Sequence, residues 1–205
     1  MNYCIELQTG SLNHDLLPQI YCNLNDPEAH KLANAFSAPV ITNIDNSDNS
    51  LRQTIDRLHI PLLVYLAGEA MRFNENAIKL GVSGTTNVLN ALNMLKTEKE
   101  PIAFKPIFSK DQDWFRAHRS GILFSEVELG QMIRYGQRIG YISDPFSANN
   151  ETESVKANQD GIVVGINRHP LIHEGQTIFK VASFIDNNRA ELALEAWGDS
   201  QKIQE

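Results

Sequence analysis

The chain has 205 residues, room for one large domain or two modest ones, and its formal net charge of −7 argues against the basic face a nucleic-acid binder needs. Two cysteines, Cys4 and Cys22, make no disulfide framework and fit a reduced, cytoplasmic setting. No apolar run nears the ~20 residues that span a bilayer, and the N-terminus shows no basic region followed by a long apolar one.

Tyr3 to Leu7 is a short strand candidate that ends at Gln8-Thr9-Gly10. A polar loop with Asn13, His14 and Asp15 follows, ahead of Pro18. Asp26-Pro27-Glu28 then starts a helix, with Asp as N-cap, Pro in the first turn and an acid near the positive end of the dipole. Ala29, Leu32, Ala33 and Phe36 share one face of it. Pro39 to Thr42 predicts a second strand. After the polar stretch Asn43 to Asn49, Ser50 caps a helix whose apolar positions are Leu51, Ile55 and Leu58.

Leu62-Leu63-Val64-Tyr65-Leu66, opened by Pro61 and closed by Gly68, is continuously apolar. Such a run predicts a strand buried on both faces, as in a parallel sheet covered by helices. Gly68, Glu69 and Arg72 follow at its carboxyl end, where α/β sheets place their binding crevices. Asn74 or Asn76 starts a further helix, with Gly81 and Gly84 predicted to interrupt it and Val88, Leu92 and Leu95 turned inward. Alternating strands and helices define an α/β layer over residues 1–97.

Glu98 to Pro106 reads as a linker, after which short strands and glycine turns take over. Gly121-Ile122-Leu123 is followed by Tyr135-Gly136-Gln137-Arg138-Ile139. Gly161-Ile162-Val163 is followed by Glu174-Gly175-Gln176-Thr177-Ile178. Two such copies predict a small β-barrel over residues 101–185 made of interlocked halves. The echo resembles the biotinyl/lipoyl carrier domain. A carrier needs a lysine at the tip of the link between the halves, and Asp144 to Asp160 offers only Lys156, beside the returning strand, so the carrier role is rejected and the fold kept. Residues 186–205 read as an acidic tail with a weakly held helix around Ala190 to Trp197.

Taken in order, IELQTGSLNHDLLPQIY, DPEAHKLANAFSAPVI, SLRQTIDRLHIPLLVYLAGEAMRF, RAHRSGI and the echoing glycines resemble the succinylglutamate desuccinylase/aspartoacylase family over residues 3 to 184. The resemblance implies a carboxypeptidase-like α/β domain followed by a small β domain. It also implies zinc-dependent amide hydrolysis of N-acyl amino acids or similar small molecules, with zinc held by two histidines and a glutamate. The family's H-x-x-E motif, which supplies two ligands, has no counterpart here. Its D-L-H-T-G motif matches Glu6-Leu7-Gln8-Thr9-Gly10, so Gln8 stands at the third ligand position. Its Y-E-A-G-E motif matches Tyr65-Leu66-Ala67-Gly68-Glu69, so Leu66 stands at the general base, with Glu69 three residues on as a weak substitute. Arg52 falls where the family binds the substrate carboxylate.

His14, His30, His59, His118, His169 and His173 show no pair at ligand spacing on one helix face; Pro170 lies between the last two. The expectation is therefore a family relative with no metal or catalytic residue of its own, an N-terminally truncated piece or half of a split enzyme. Its partners would be a complementing N-terminal segment or a second copy, and no nucleic acid or membrane. The alternative is a non-catalytic relative that binds a small carboxylate ligand or a protein.

Overall fold

The computed structural model describes residues 2–44, 51–96, 105–147 and 151–202. The first half places β1 (Cys4–Gln8), β2 (His14–Cys22), α1 (Pro27–Phe36), β3 (Val40–Asn43), α2 (Leu51–Arg57), β4 (Leu62–Gly68) and α3 (Glu75–Ala91). The Ser50 cap and the 97–104 part of the linker lie outside the described residues.

Helix α1 forms for the reasons its sequence gives. The Asp26 side chain accepts from the Glu28 amide, Pro27 opens the first turn, and Ser37 closes the helix in the left-handed region at φ 64°. Ala29, Leu32, Ala33 and Phe36 are all buried. β4 is likewise a core strand. It pairs in parallel with β1 and antiparallel with β2, which in turn pairs in parallel with β3, so the layer is a mixed sheet.

Three expectations change. The segment after Asn13 is the nine-residue strand β2, not a loop up to Pro18. Proline is tolerated because the β2–β4 register shifts between Leu16 and Gln19, a bulge where Pro18 needs no ladder hydrogen bond. In α2 only Ile55 is buried, while Leu51 and Leu58 are exposed. And α3 runs unbroken from its Asn74 cap through Gly81 and Gly84. Those glycines bring the helix close: a Cβ on Gly81 would meet the Tyr65 ring at 3.0 Å, and one on Gly84 would clash with Phe36.

The second half holds β5 (Ile107–Ser109), β6 (Asp111–Arg116), β7 (Gly121–Ser125), β8 (Met132–Ile133), β9 (Arg138–Ser143), β10 (Thr152–Lys156), β11 (Gly161–Asn167), β12 (Leu171–Ile172) and β13 (Thr177–Ser183). The echo is structural. The short β8 of the first copy pairs with β11 of the second, and β12 of the second pairs with β7 of the first. Gly136 and Gly175 take the same positive φ, 78° and 79°, and Gln137 and Gln176 accept from the amides of Arg134 and His173 in the same way. The exchange encloses a core that includes Ile133, Ile139, Ile172, Ile178 and Phe179.

The two halves share one sheet. β11 pairs antiparallel with β2, Ile166 opposite Asp15, and β5 pairs in parallel with β3. A sheet of nine described strands therefore crosses the boundary read from the sequence, and a second sheet runs β10-β9-β7-β12. The tail is packed as well: α4 (Asn187–Lys202) buries Ala190 and Leu194 beside Leu17, Val164 and Phe184. No described helix is long and apolar enough to cross a membrane.

Candidate functional site

Alternation along β1 and β4 sends their side chains to two faces. Ile5, Leu7, Tyr65 and Ala67 lie on the α1/α3 side; Glu6, Gln8, Val64 and Leu66 lie on the α2 side. In register, Gln8 stands beside Leu66 and Glu6 beside Val64, while β2 brings Gln19 against Leu66 from the other side. The positions at which the resemblance expects a zinc ligand and a base are thus direct neighbours at the carboxyl end of the sheet.

Arg52 reaches this face from α2 and is held by Glu6. Its Nε donates to Oε2 at 2.9 Å and its Nη2 to Oε1 at 3.4 Å, with both side chains about a third exposed. The Gln8 amide also donates to Glu6 Oε1. Glu6 therefore occupies the two-pronged face of the Arg52 guanidinium. The other named residues lie elsewhere. Glu69 is buried on the α3 side and paired with the exposed Arg72 at 2.7 Å. His14 bonds Ser11 and Thr177 and meets the Trp114 ring edge-on, and His30 stacks on Phe108.

Zinc does not fit these side chains. Gln8 is a neutral amide whose N–H is already given to Glu6, Glu6 is tied to Arg52, and Leu66 carries no donor atom. Among the described residues, no three of His, Cys, Asp and Glu come together as a metal site.

Two features escaped the sequence reading. One is a polar network where the halves meet. Lys180 donates to the Tyr21 hydroxyl at 2.7 Å, Tyr21 donates to Gln112 at 2.6 Å, and Gln112 donates to Gln19 and Thr42, each at 2.8 Å. Burial lowers the Lys180 pKa to about 8, only partly opposed by Asp113. Burial likewise raises Tyr21, against a smaller lowering effect of Arg52. The alternating polar positions Gln19 and Tyr21 in the otherwise apolar stretch 16–22 of β2 were the available signal. The second feature is an apolar groove of about 870 Å³ between β1 and α3, lined by Leu7, Tyr65, Phe73, Ile78 and Val82 among others.

No family model matches this chain, and no curated protein does. Solved structures do. The product-bound ectoine utilization protein EutE (DoeB) from Ruegeria pomeroyi superposes with a TM-score of 0.77 at 17% identity, covering 87% of this chain and 57% of its own. The succinylglutamate desuccinylase/aspartoacylase from Rhodobacter sphaeroides gives 0.76 at 18%, covering 90% and 59%. A succinylglutamate desuccinylase from Silicibacter sp. TM1040 gives 0.77 at 15%, covering 89% and 58%. The chain spans less than two-thirds of the length of each. Over most of its length it has the fold of succinylglutamate desuccinylase/aspartoacylase structures.

Proposed function

We infer that this chain is a relative of the succinylglutamate desuccinylase/aspartoacylase hydrolases whose own 205 residues do not complete a hydrolytic centre. The observation that carries this is the register of Gln8 beside Leu66. At the two positions that the resemblance assigns to a metal ligand and a proton acceptor, the chain carries a neutral amide and a hydrocarbon, which supports this reading. If hydrolysis occurs, the metal ligands and base come from polypeptide other than these residues, as in half of a split enzyme. The β half is then the family's small barrel, like the biotinyl/lipoyl fold. The unpaired thiols of Cys4 and Cys22 support a reduced, cytoplasmic setting.

A non-catalytic binding role is the second reading, and the apolar groove favours it because an exposed pocket of that kind serves association rather than proton transfer. A carboxylate ligand at Arg52 would have to displace Glu6.

Elemental analysis after mild chelation, together with assays on N-acetyl-aspartate and N-succinyl-glutamate, tests the first reading. The expected outcome is substoichiometric zinc and no turnover. One zinc retained per chain, or steady hydrolysis, overturns it.

A further inference from the structure

Lys180 lies in a slot that three strands shape around it. It stands opposite Gly165 of β11 and Trp114 of β6, and Gly165 in turn stands opposite Leu16 of β2. A Cβ on Gly165 would come within 2.7 Å of Leu16 and 2.9 Å of the Lys180 stem, so glycine is what leaves the stem its place. Nζ reaches from this apolar slot to Tyr21, 5.3 Å from the ring centroid and bonded to the hydroxyl. Among the described residues no carboxylate pairs with the ammonium, and Asp113 on β6 acts on it only from a distance. The other charged or titratable groups on this face are engaged: His14 with Ser11 and Thr177, Arg52 with Glu6, and Arg116 with the Gly175 carbonyl. β11 brings none. A half-buried, unpaired cation is favoured by losing its proton.

The hydrogen bonds beyond Nζ run in one direction. Gln112 gives both amide protons, to Gln19 and Thr42, so its carbonyl oxygen is what faces Tyr21 and accepts the hydroxyl proton. Tyr21 therefore offers Nζ only its oxygen, and the lysine is the donor. When the ammonium sheds a proton, the amine goes on donating to Tyr21 and its lone pair is left unmasked.

We propose that Lys180 is a nucleophilic amine that condenses with a small uncharged aldehyde or ketone to form an imine. The nitrogen lone pair attacks the carbonyl carbon as the C=O π pair moves to oxygen, giving a carbinolamine. The C–O bond then breaks as the C=N bond forms, and both hydrogens that leave the nitrogen end in the departing water. Tyr21, held protonated by burial and 2.7 Å from Nζ, gives a proton to the leaving oxygen and regains one from the nitrogen. The walls of Trp114 and Leu16 suit a carbonyl compound without charge. This chemistry does not depend on a hydrolytic centre, so its outcome and that of the zinc test are separate.

Propanal with cyanoborohydride, which traps the imine as a secondary amine, tests this on the full chain, with each lysine read by peptide mass spectrometry. At about pH 7.5 Lys180 should label roughly tenfold faster than the other lysines, because its larger neutral fraction outweighs its weaker basicity. That ratio should shrink towards about pH 10, where the others lose their protons too. Tyr21→Phe keeps the ring and the slot and should slow labelling of Lys180 at least fivefold. Lys180 labelling no faster than the other lysines overturns the proposal, and so does a fast Lys180 whose rate ignores Tyr21→Phe. Slow labelling that inorganic phosphate suppresses further also overturns it, as the mark of an ammonium that holds an anion.

Discussion

Gln8 and Leu66 face the same side of adjacent parallel strands, two residues along from the Glu6–Arg52 ion pair. That juxtaposition explains why restoring two residues should not restore chemistry. Gln8→His with Leu66→Glu would give one imidazole and one carboxylate, and a catalytic zinc takes three protein ligands. None of the six histidines begins an H-x-x-E motif to supply the rest. The double variant should bind no stoichiometric zinc by elemental analysis and should not hydrolyse N-acetyl-aspartate. It should also lose roughly 1–3 kcal/mol of stability in urea denaturation, because a partly buried methyl cluster becomes a carboxylate. Turnover by this variant alone would show a metal site elsewhere.

The Glu6–Arg52 contact sets a test of the carboxylate-binding role. With Glu6 in place, Arg52 is already satisfied, so an N-acyl amino acid must compete with an intramolecular carboxylate. Glu6→Gln should raise affinity for such a ligand by about tenfold, and adding Arg52→Ala should remove the gain, both read by calorimetry. Arg52→Ala alone should cost no more than about 1 kcal/mol of stability, since the pair is about a third exposed and screened. If Glu6→Gln leaves affinity unchanged, Arg52 is a structural residue.

Much of the α/β layer was legible because its signals are local. The Asp26 cap, the α1 face and the apolar run of β4 each need only a few neighbouring residues to be read. The echo in the β half was legible for the same reason, since its glycines repeat a backbone requirement. What stayed hidden depends on distant partners. Pro18 suggested a loop because a bulge against β4 is invisible from β2 alone. Gly81 and Gly84 read as breakers because the rings they admit, Tyr65 and Phe36, lie elsewhere in the chain. Arg52 could be placed near the site, but its partner Glu6, 46 residues away, could not. The acidic tail concealed Ala190 and Leu194, whose contacts come from β2 and β11.

Gly84 gives a direct measure of the α3 packing. A methyl there runs into the Phe36 ring, which is itself fully buried, so neither side can yield cheaply. Gly84→Ala should destabilise the chain by roughly 1–3 kcal/mol despite the better helix propensity of alanine. Thermal denaturation reads the sign. A stabilised variant would mean that α3 sits farther from α1 than described.

The β half has its own core, so residues 105–184 expressed alone should fold and give a dispersed amide spectrum. They should also bind an apolar dye and melt earlier than the full chain. The cause is Met132, Ile162, Val164 and Phe184, which the first half and α4 help to cover through Leu17, Val40 and Leu194. A collapsed spectrum would show that β2 is needed to hold β11 in place.

Lys180 sets a pH dependence whose sign follows from its burial. Its pKa is about 8 in the fold against an ordinary 10.5, so the folded state holds fewer protons between those values. Stability from this group therefore rises with pH through that window, and below pH 8 the penalty for burying the charge is fully present. Whole-protein curves will not show this cleanly. Tyr21 and Tyr65 are raised by burial, and Cys22 is pushed up to about 12, so each loses stability at alkaline pH as the unfolded chain ionises first. The difference between the wild type and Lys180→Met removes most of those contributions, because the variant keeps both tyrosines and Cys22. Lys180→Met leaves Tyr21 donating to Gln112 and removes only the buried ammonium. The variant's stability relative to wild type should fall by roughly 1–2 kcal/mol between pH 7.5 and 9.5, measured by urea denaturation at each pH. A flat difference would mean that Lys180 keeps an ordinary pKa, and that water reaches the seam between β2 and β13.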